Sequence, residues 1–208
     1  GRIIAEQFII AAGARLLVTG RTPEEKLVET GKDKVLDDLR SLGHVSYATV
    51  DVTDSSALAA AVEHAEKSWG QRLDLIVHVA GEAVAPQWER VSAHDLARET
   101  APWFRRMLAP KLGGAAAIDR LLASRPNAAV LLYSSVNGFL GGSSFGAYAA
   151  ANAGLEGWAR RWVARGRVVR CVAWSMWAGP GMNDGSPFVT AAAQRGLRLI
   201  QPHEGLGL

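Results

Sequence analysis

The sequence predicts an α/β chain built on a doubly wound parallel sheet, and three observations carry that expectation. Stretches with apolar residues at helical spacing alternate with short, continuous apolar runs, as in a parallel sheet covered by helices on both faces. The helical stretches end at glycines, Gly13, Gly43 and Gly70, where a tight closing turn is easily made. The chain also runs straight into a helix after Gly1, whereas a sheet of this class ordinarily opens with a strand and a glycine-rich turn. Because Pro202-His203-Glu204-Gly205-Leu206 reads as a helix that stops early, residues 1–208 are expected to be one domain truncated at both ends.

In chain order, residues 3–12 form a helix closed by Gly13, and 15–19 a strand running into Gly20 and Arg21. A helix over 34–42 ends at Gly43 and is followed by a strand over 45–52. Asp54 or Ser55 can cap the next helix, whose Leu58, Val62, Ala65 and Trp69 recur on one face before Gly70. Residues 73–79 form a third strand. Ser92 with Asp95 resembles a capping box for a long helix that Pro102 and Pro110 bend or break. A strand over 128–135, a helix over 147–164 and a strand over 168–174 complete the pattern.

Composition narrows the function classes. Hydrophobic residues make up 49% and charged residues 21%, which excludes disordered, collagen-like and coiled-coil chains. There is neither an apolar run of membrane-spanning length nor a cationic start followed by an apolar stretch, so a soluble, cytoplasmic protein is expected. The net charge of +3 comes from 23 basic and 20 acidic residues, too even a balance to argue for nucleic acid as a partner. Arg160, Arg161, Arg165 and Arg167 read as a solvated face. The five histidines show no helical pairing and Cys171 stands alone in a strand, so no metal site is expected.

The chemistry gathers around Ser135, Tyr148 and Asn152. Ser135 closes a strand, while Tyr148 and Asn152 lie one helical turn apart and share a face at the sheet's rim, where open α/β sheets bind ligands. Small residues between them, Ala149-Ala150-Ala151, let a backbone or a cofactor approach closely. Lys111 alone reads as a surface lysine, and Arg21 alone as a solvated loop arginine.

Seven motifs in order resemble the short-chain dehydrogenase/reductase superfamily, and within it the ketoreductase domains of modular polyketide synthases and related megasynthases. They are Thr19-Gly20-Arg21, Asp51-Val52-Thr53-Asp54, His78-Val79-Ala80-Gly81, Pro110-Lys111-Leu112-Gly113-Gly114, Tyr133-Ser134-Ser135, Tyr148 to Asn152, and Trp174-Ser175-Met176-Trp177-Ala178-Gly179. Most dehydrogenases of the superfamily place lysine four residues after the tyrosine and asparagine on an earlier helix. Here Asn152 and Lys111 are interchanged, as is typical of the megasynthase members.

The resemblance implies a Rossmann-like catalytic domain that uses NADPH to reduce a β-ketoacyl thioester. The substrate would be delivered by an acyl carrier protein among neighbouring domains of a synthase devoted to antibiotic biosynthesis. It implies catalytic roles for Tyr148 as proton donor, Ser135 as aligner, Lys111 as the charge beside the phenol and Asn152 in the proton path. For the cofactor it implies Gly1 as the last glycine of the phosphate turn, Arg21 and Thr22 at a 2′-phosphate, Asp51 and Val52 at the adenine, and Ala80 and Gly81 beside the dinucleotide. Met182 and Phe188, in a turn-rich stretch after Trp177, are candidates for the acyl chain or equally for hinge packing.

Two markers of product stereochemistry are missing. Gly81 is followed by Glu82-Ala83-Val84-Ala85 rather than an acidic Leu-Asp-Asp signature, and the position eight residues before Tyr148 is Leu140 rather than tryptophan. Product configuration therefore stays open, and an α-ketoacyl substrate in a peptide assembly line, or a catalytically silent architectural module, remains an alternative.

Overall fold

The computed structural model describes residues 1–82, 94, 97–142, 144–178, 189, 194, 196 and 198–206. They fall into two compact units, Gly1–Asp74 with Ala116–Ala128, and Leu75–Ala115 with Ala129–Leu208. The expected parallel α/β architecture is present in each.

In the first unit, α1 (Arg2–Ala12) leads to β1 (Leu16–Gly20), then a 3-10 helix over Glu24–Thr30, α2 (Lys32–Leu42), β2 (Val45–Thr49) and α3 (Ser55–Trp69). β1 and β2 pair in parallel from Leu16↔Val45 to Gly20↔Thr49. β2 is shorter than the predicted 45–52 because its partner ends at Gly20. Val50 makes one more amide bond to the Gly20 carbonyl, at 2.8 Å, before the chain turns at Asp51. Asp54 is the N-cap of α3, its Oδ1 accepting from the amides of Ser56 and Ala57 at 2.9 and 3.0 Å. Gly70 closes that helix at φ 66°, in the left-handed region. The 3-10 helix was not legible in the sequence, since only Leu27 of its seven residues is buried and no apolar period marks it.

A buried ion pair anchors this unit. Arg125 Nε and Nη2 donate to the two carboxylate oxygens of Glu66, each at 2.8 Å, and the Leu73 amide adds a third bond at 2.8 Å. The Arg125 hydrogen bonds hold the Glu66 carboxyl at about 2.

In the second unit β3 (Leu75–His78), β4 (Ala129–Ser135) and β5 (Val169–Trp174) form a parallel sheet in the order β3-β4-β5. α4 (Ala101–Leu108) is capped by Thr100 and carries Pro102 in its first turn, where no amide is missed, so Pro102 neither bends nor breaks it. Pro110 acts differently. It lies in a π-helical turn, Ala109–Gly113, because a proline inside a helix lacks the amide and crowds the preceding turn, and widening the turn accommodates it. The chain then continues as α5 (Gly114–Leu122). The proposed capping box at Ser92 and Asp95 lies outside the described residues.

After β4 come the short α6 (Asn137–Leu140) and the long α7 (Gly146–Ala164), and α8 (Pro202–Leu206) is the helix start expected near the end. α7 buries Ala147, Ala151, Asn152, Leu155, Ala159 and Trp162, a stripe at helical spacing that packs on the sheet. Gly154 interrupts its flank for a reason. A Cβ there would stand 2.7 Å from Leu112 Cδ2, so the missing side chain lets the π turn lie close against α7. Among the described residues no helix is long and apolar enough to cross a membrane, and no cluster of metal-binding side chains occurs.

Candidate active site

All four residues expected to catalyse lie in the second unit. Ser135 ends β4, and its hydroxyl exchanges bonds with Asn137, donating to Oδ1 and accepting from the backbone amide, both at 3.3 Å. Tyr148 sits in the first turn of α7, its ring packed with Trp103, Phe104 and Phe145 around buried Met107 and Ala147. One turn on, Asn152 is fully buried. Its Nδ2 donates to the Tyr148 carbonyl at 2.8 Å, whereas its buried Oδ1 has no partner among the described residues.

Lys111 is not the surface residue that it resembled in isolation. It lies in the π turn, only 6% exposed, and Nζ donates to the Tyr133 carbonyl at 2.8 Å, two residues before Ser135. Burial lowers its ammonium to about 8, because the charged form loses its hydration. Only one of the three ammonium protons has a partner among the described residues. The four side chains thus hang on the end of β4, the first two turns of α7 and the π turn. No direct bond among the described residues joins the Tyr148 hydroxyl to Ser135 or Lys111.

The expected cofactor residues are divided between the units. Gly1 precedes α1 as its N-cap. Arg21 is exposed just past β1, and Thr22 offers its carbonyl to the Tyr47 hydroxyl at 2.7 Å. Asp51 folds back on Thr53, whose amide and hydroxyl bind Oδ1 at 2.9 and 2.8 Å and hold the carboxyl below its usual range. Val52 follows it, half-buried. Ala80 and Gly81 belong to the second unit, just after β3; a Cβ on Gly81 would meet Lys111 Cε at 3.7 Å. Met182 and Phe188 lie outside the described residues. Within the second unit the polar groups suit the hydroxyls of a nucleotide: spare ammonium protons on Lys111 and a buried acceptor on Asn152 lack partners among the described residues.

Three further polar residues escaped the sequence reading of the site. Glu82 accepts from Arg106 at 2.7 Å, tying the segment after β3 to α4. Glu156, one turn beyond Asn152, accepts from the Ser134 hydroxyl at 2.7 Å and joins the end of β4 to α7. His78, 3% exposed at the end of β3, directs Nε2 at the Lys111 carbonyl at 3.4 Å. Only Glu156, which shares a helix with Tyr148, carried a signal that could have found it, its helical phase.

The profile of the KR domain family matches residues 1–179. The chain belongs to the KR domain family. These are the ketoreductase domains of polyketide synthases, oxidoreductases on a Rossmann-like fold that implies a nicotinamide cofactor. The KR chain is 33% identical over 192 residues to the pikromycin polyketide synthase component PikAIII of Streptomyces venezuelae, covering 92% of this chain and 11% of that protein. It superposes with a TM-score of 0.82 on the ketoreductase from the first module of phoslactomycin biosynthesis in Streptomyces sp. HK803, at 28% identity over 100% of this chain and 46% of that one. It is equally similar, TM-score 0.84 and 28% identity over 100% of this chain and 17% of that one, to an adenylation, ketoreductase and pseudo Asub multidomain structure of a keto acid-selecting NRPS module. The chain therefore spans about a tenth of the curated relative's length.

Proposed function

We propose that this KR domain uses NADPH to reduce a β-ketoacyl thioester, delivered by an acyl carrier protein within a multidomain synthase, to the β-hydroxyacyl thioester. The observation that carries this reading is the buried Lys111 ammonium bonded to the carbonyl two residues before Ser135, since a buried charge with one neutral partner is costly and such groups cluster at functional sites. When bound, the nicotinamide would supply the hydride to the carbonyl carbon. Negative charge then grows on the carbonyl oxygen, which Ser135 meets with a hydrogen bond while the Tyr148 hydroxyl gives up its proton to it. The positive charge of Lys111 favours the phenolate that Tyr148 becomes. Asn152, held by its own helix through Nδ2, presents Oδ1 to a water or hydroxyl that returns the proton. Arg21 would pair with the 2′-phosphate that distinguishes NADPH from NADH.

The test is Tyr148→Phe in the full-length protein. NADPH binding should persist while reduction falls at least about a hundredfold, the low end of a general-acid contribution; retained turnover overturns the assignment. A second reading, reduction of an α-ketoacyl thioester, is favoured by the likeness to the keto acid-selecting module. Turnover measured on matched α- and β-ketoacyl thioesters separates the two.

A further inference from the structure

We propose that His78 is the positioning residue for Lys111, acting through the backbone of the π turn rather than by touching substrate or cofactor. The inference rests on the reading of Lys111 as the charge beside the reacting phenol.

The Lys111 carbonyl at the end of the π turn accepts one backbone bond, from the Gly114 amide. A carbonyl has a second lone pair, and in a dry interior a side-chain donor aimed at it fixes the turn further. His78 is placed to be that donor. It is 3% exposed, at the last position of β3, and its Nε2 points at the Lys111 carbonyl at 3.4 Å. A carbonyl only accepts, so the ring carries its proton on Nε2.

Three contacts then fix the same turn from three elements of the second unit. His78 on β3 holds the Lys111 backbone, the Tyr133 carbonyl of β4 holds Nζ at 2.8 Å, and the bare flank of α7 at Gly154 receives Leu112. Gly81 borders the lysine stem, where a Cβ would meet Cε at 3.7 Å. The backbone anchor decides where the stem begins, and the stem decides which point in space Nζ reaches. Burial, and after it the charge of Lys111 facing the ring, keeps the His78 imidazole neutral down to about 4. The anchor is therefore a constant hydrogen-bond donor across the working pH range, and Cys171 is the other titratable group facing Lys111.

The experiment compares His78→Phe and His78→Gln in the full-length protein. Phenylalanine fills the space without a donor; glutamine places an amide N–H where Nε2 stands. Two readouts are taken, kcat and KM across pH, and the titration of Lys111 by trace acylation read on the peptide that carries it. With His78→Phe, the Lys111 midpoint should move from about 8 toward the ordinary 10.5, so that near neutral pH its amine acylates more slowly. The value of kcat should fall about tenfold with KM within about twofold, and His78→Gln should recover most of both, the pattern of a lost positioning contact. If His78→Phe folds and Lys111 titrates as before, or if His78→Gln is as impaired as His78→Phe, the proposal is overturned. If His78→Phe does not fold, His78→Gln alone decides, by keeping or losing the wild-type titration of Lys111. A shifted Lys111 with unchanged kcat supports the positioning and instead removes Lys111 from the proposed mechanism.

Discussion

Arg21 stands exposed at the end of β1 with the Asp51 carboxylate electrostatically within reach, and the smallest change that tests its role is truncation. Arg21→Ala should raise KM for NADPH at least about tenfold and leave KM for NADH nearly unchanged, because only NADPH offers the guanidinium a 2′-phosphate. Steady-state kinetics with both cofactors checks this, and equal effects would make Arg21 a solvated loop residue. The same scale explains why Lys111 was misjudged in isolation. Nothing in Pro110-Lys111-Leu112 says which way the side chain turns; only the π turn and the Tyr133 carbonyl, neither visible as a spacing, bring it inside.

At the scale of elements, α7 carries two glycines in its interior, Gly154 and Gly157, that a helix would ordinarily do better without. A Cβ on Gly157 meets nothing within 4 Å, whereas one on Gly154 presses on Leu112. Gly157→Ala should therefore stabilise the protein by about 0.5–1 kcal/mol, the usual gain in helix interiors. Gly154→Ala should fall short of it by about 1 kcal/mol. Urea unfolding of both variants measures the difference, and equal gains would mean that Leu112 yields freely. Most elements were legible because the physics that makes them is local. Apolar period placed α3 and α7, Gly13 and Gly70 closed their helices, and Asp54 capped as its side chain allows. The elements that were not legible answer to partners instead. The 3-10 helix over Glu24–Thr30 buries one side chain, β2 stops where β1 stops, and Pro110 widens a helix that it was expected to bend or break. For the site, Ser135, Tyr148 and Asn152 could be grouped from strand end and helical phase, but the hydrogen bonds of His78, Glu82 and Glu156 join residues more than twenty positions apart.

For the whole molecule, acid should act on the two units in separate pH windows. His78, in the second unit, titrates at about 4 when folded and near 6.5 when unfolded. The folded state binds fewer protons, so the stability it contributes is full above about pH 6.5 and is lost as pH falls through 4. Glu66, in the first unit, titrates at about 2 against roughly 4.3 unfolded. Its contribution of about 3 kcal/mol is kept until about pH 4.3 and lost below it. Hydrogen exchange followed unit by unit from pH 7 to 3 should show the second unit loosening first, and Glu66→Gln should destabilise the first unit at neutral pH by about 3–5 kcal/mol by removing the carboxylate charge that faces the buried Arg125 guanidinium. Lys111 runs the other way. Its ammonium is carried into the interior at a cost of about 3 kcal/mol, the work of lowering it from 10.5 to about 8. A neutral residue of like size, as in Lys111→Met, should therefore raise the melting temperature read by calorimetry, while under the proposed mechanism it slows reduction. Under the proposed mechanism that cost is a trade: a copy of the domain released from selection for reduction would gain robustness by losing this one lysine.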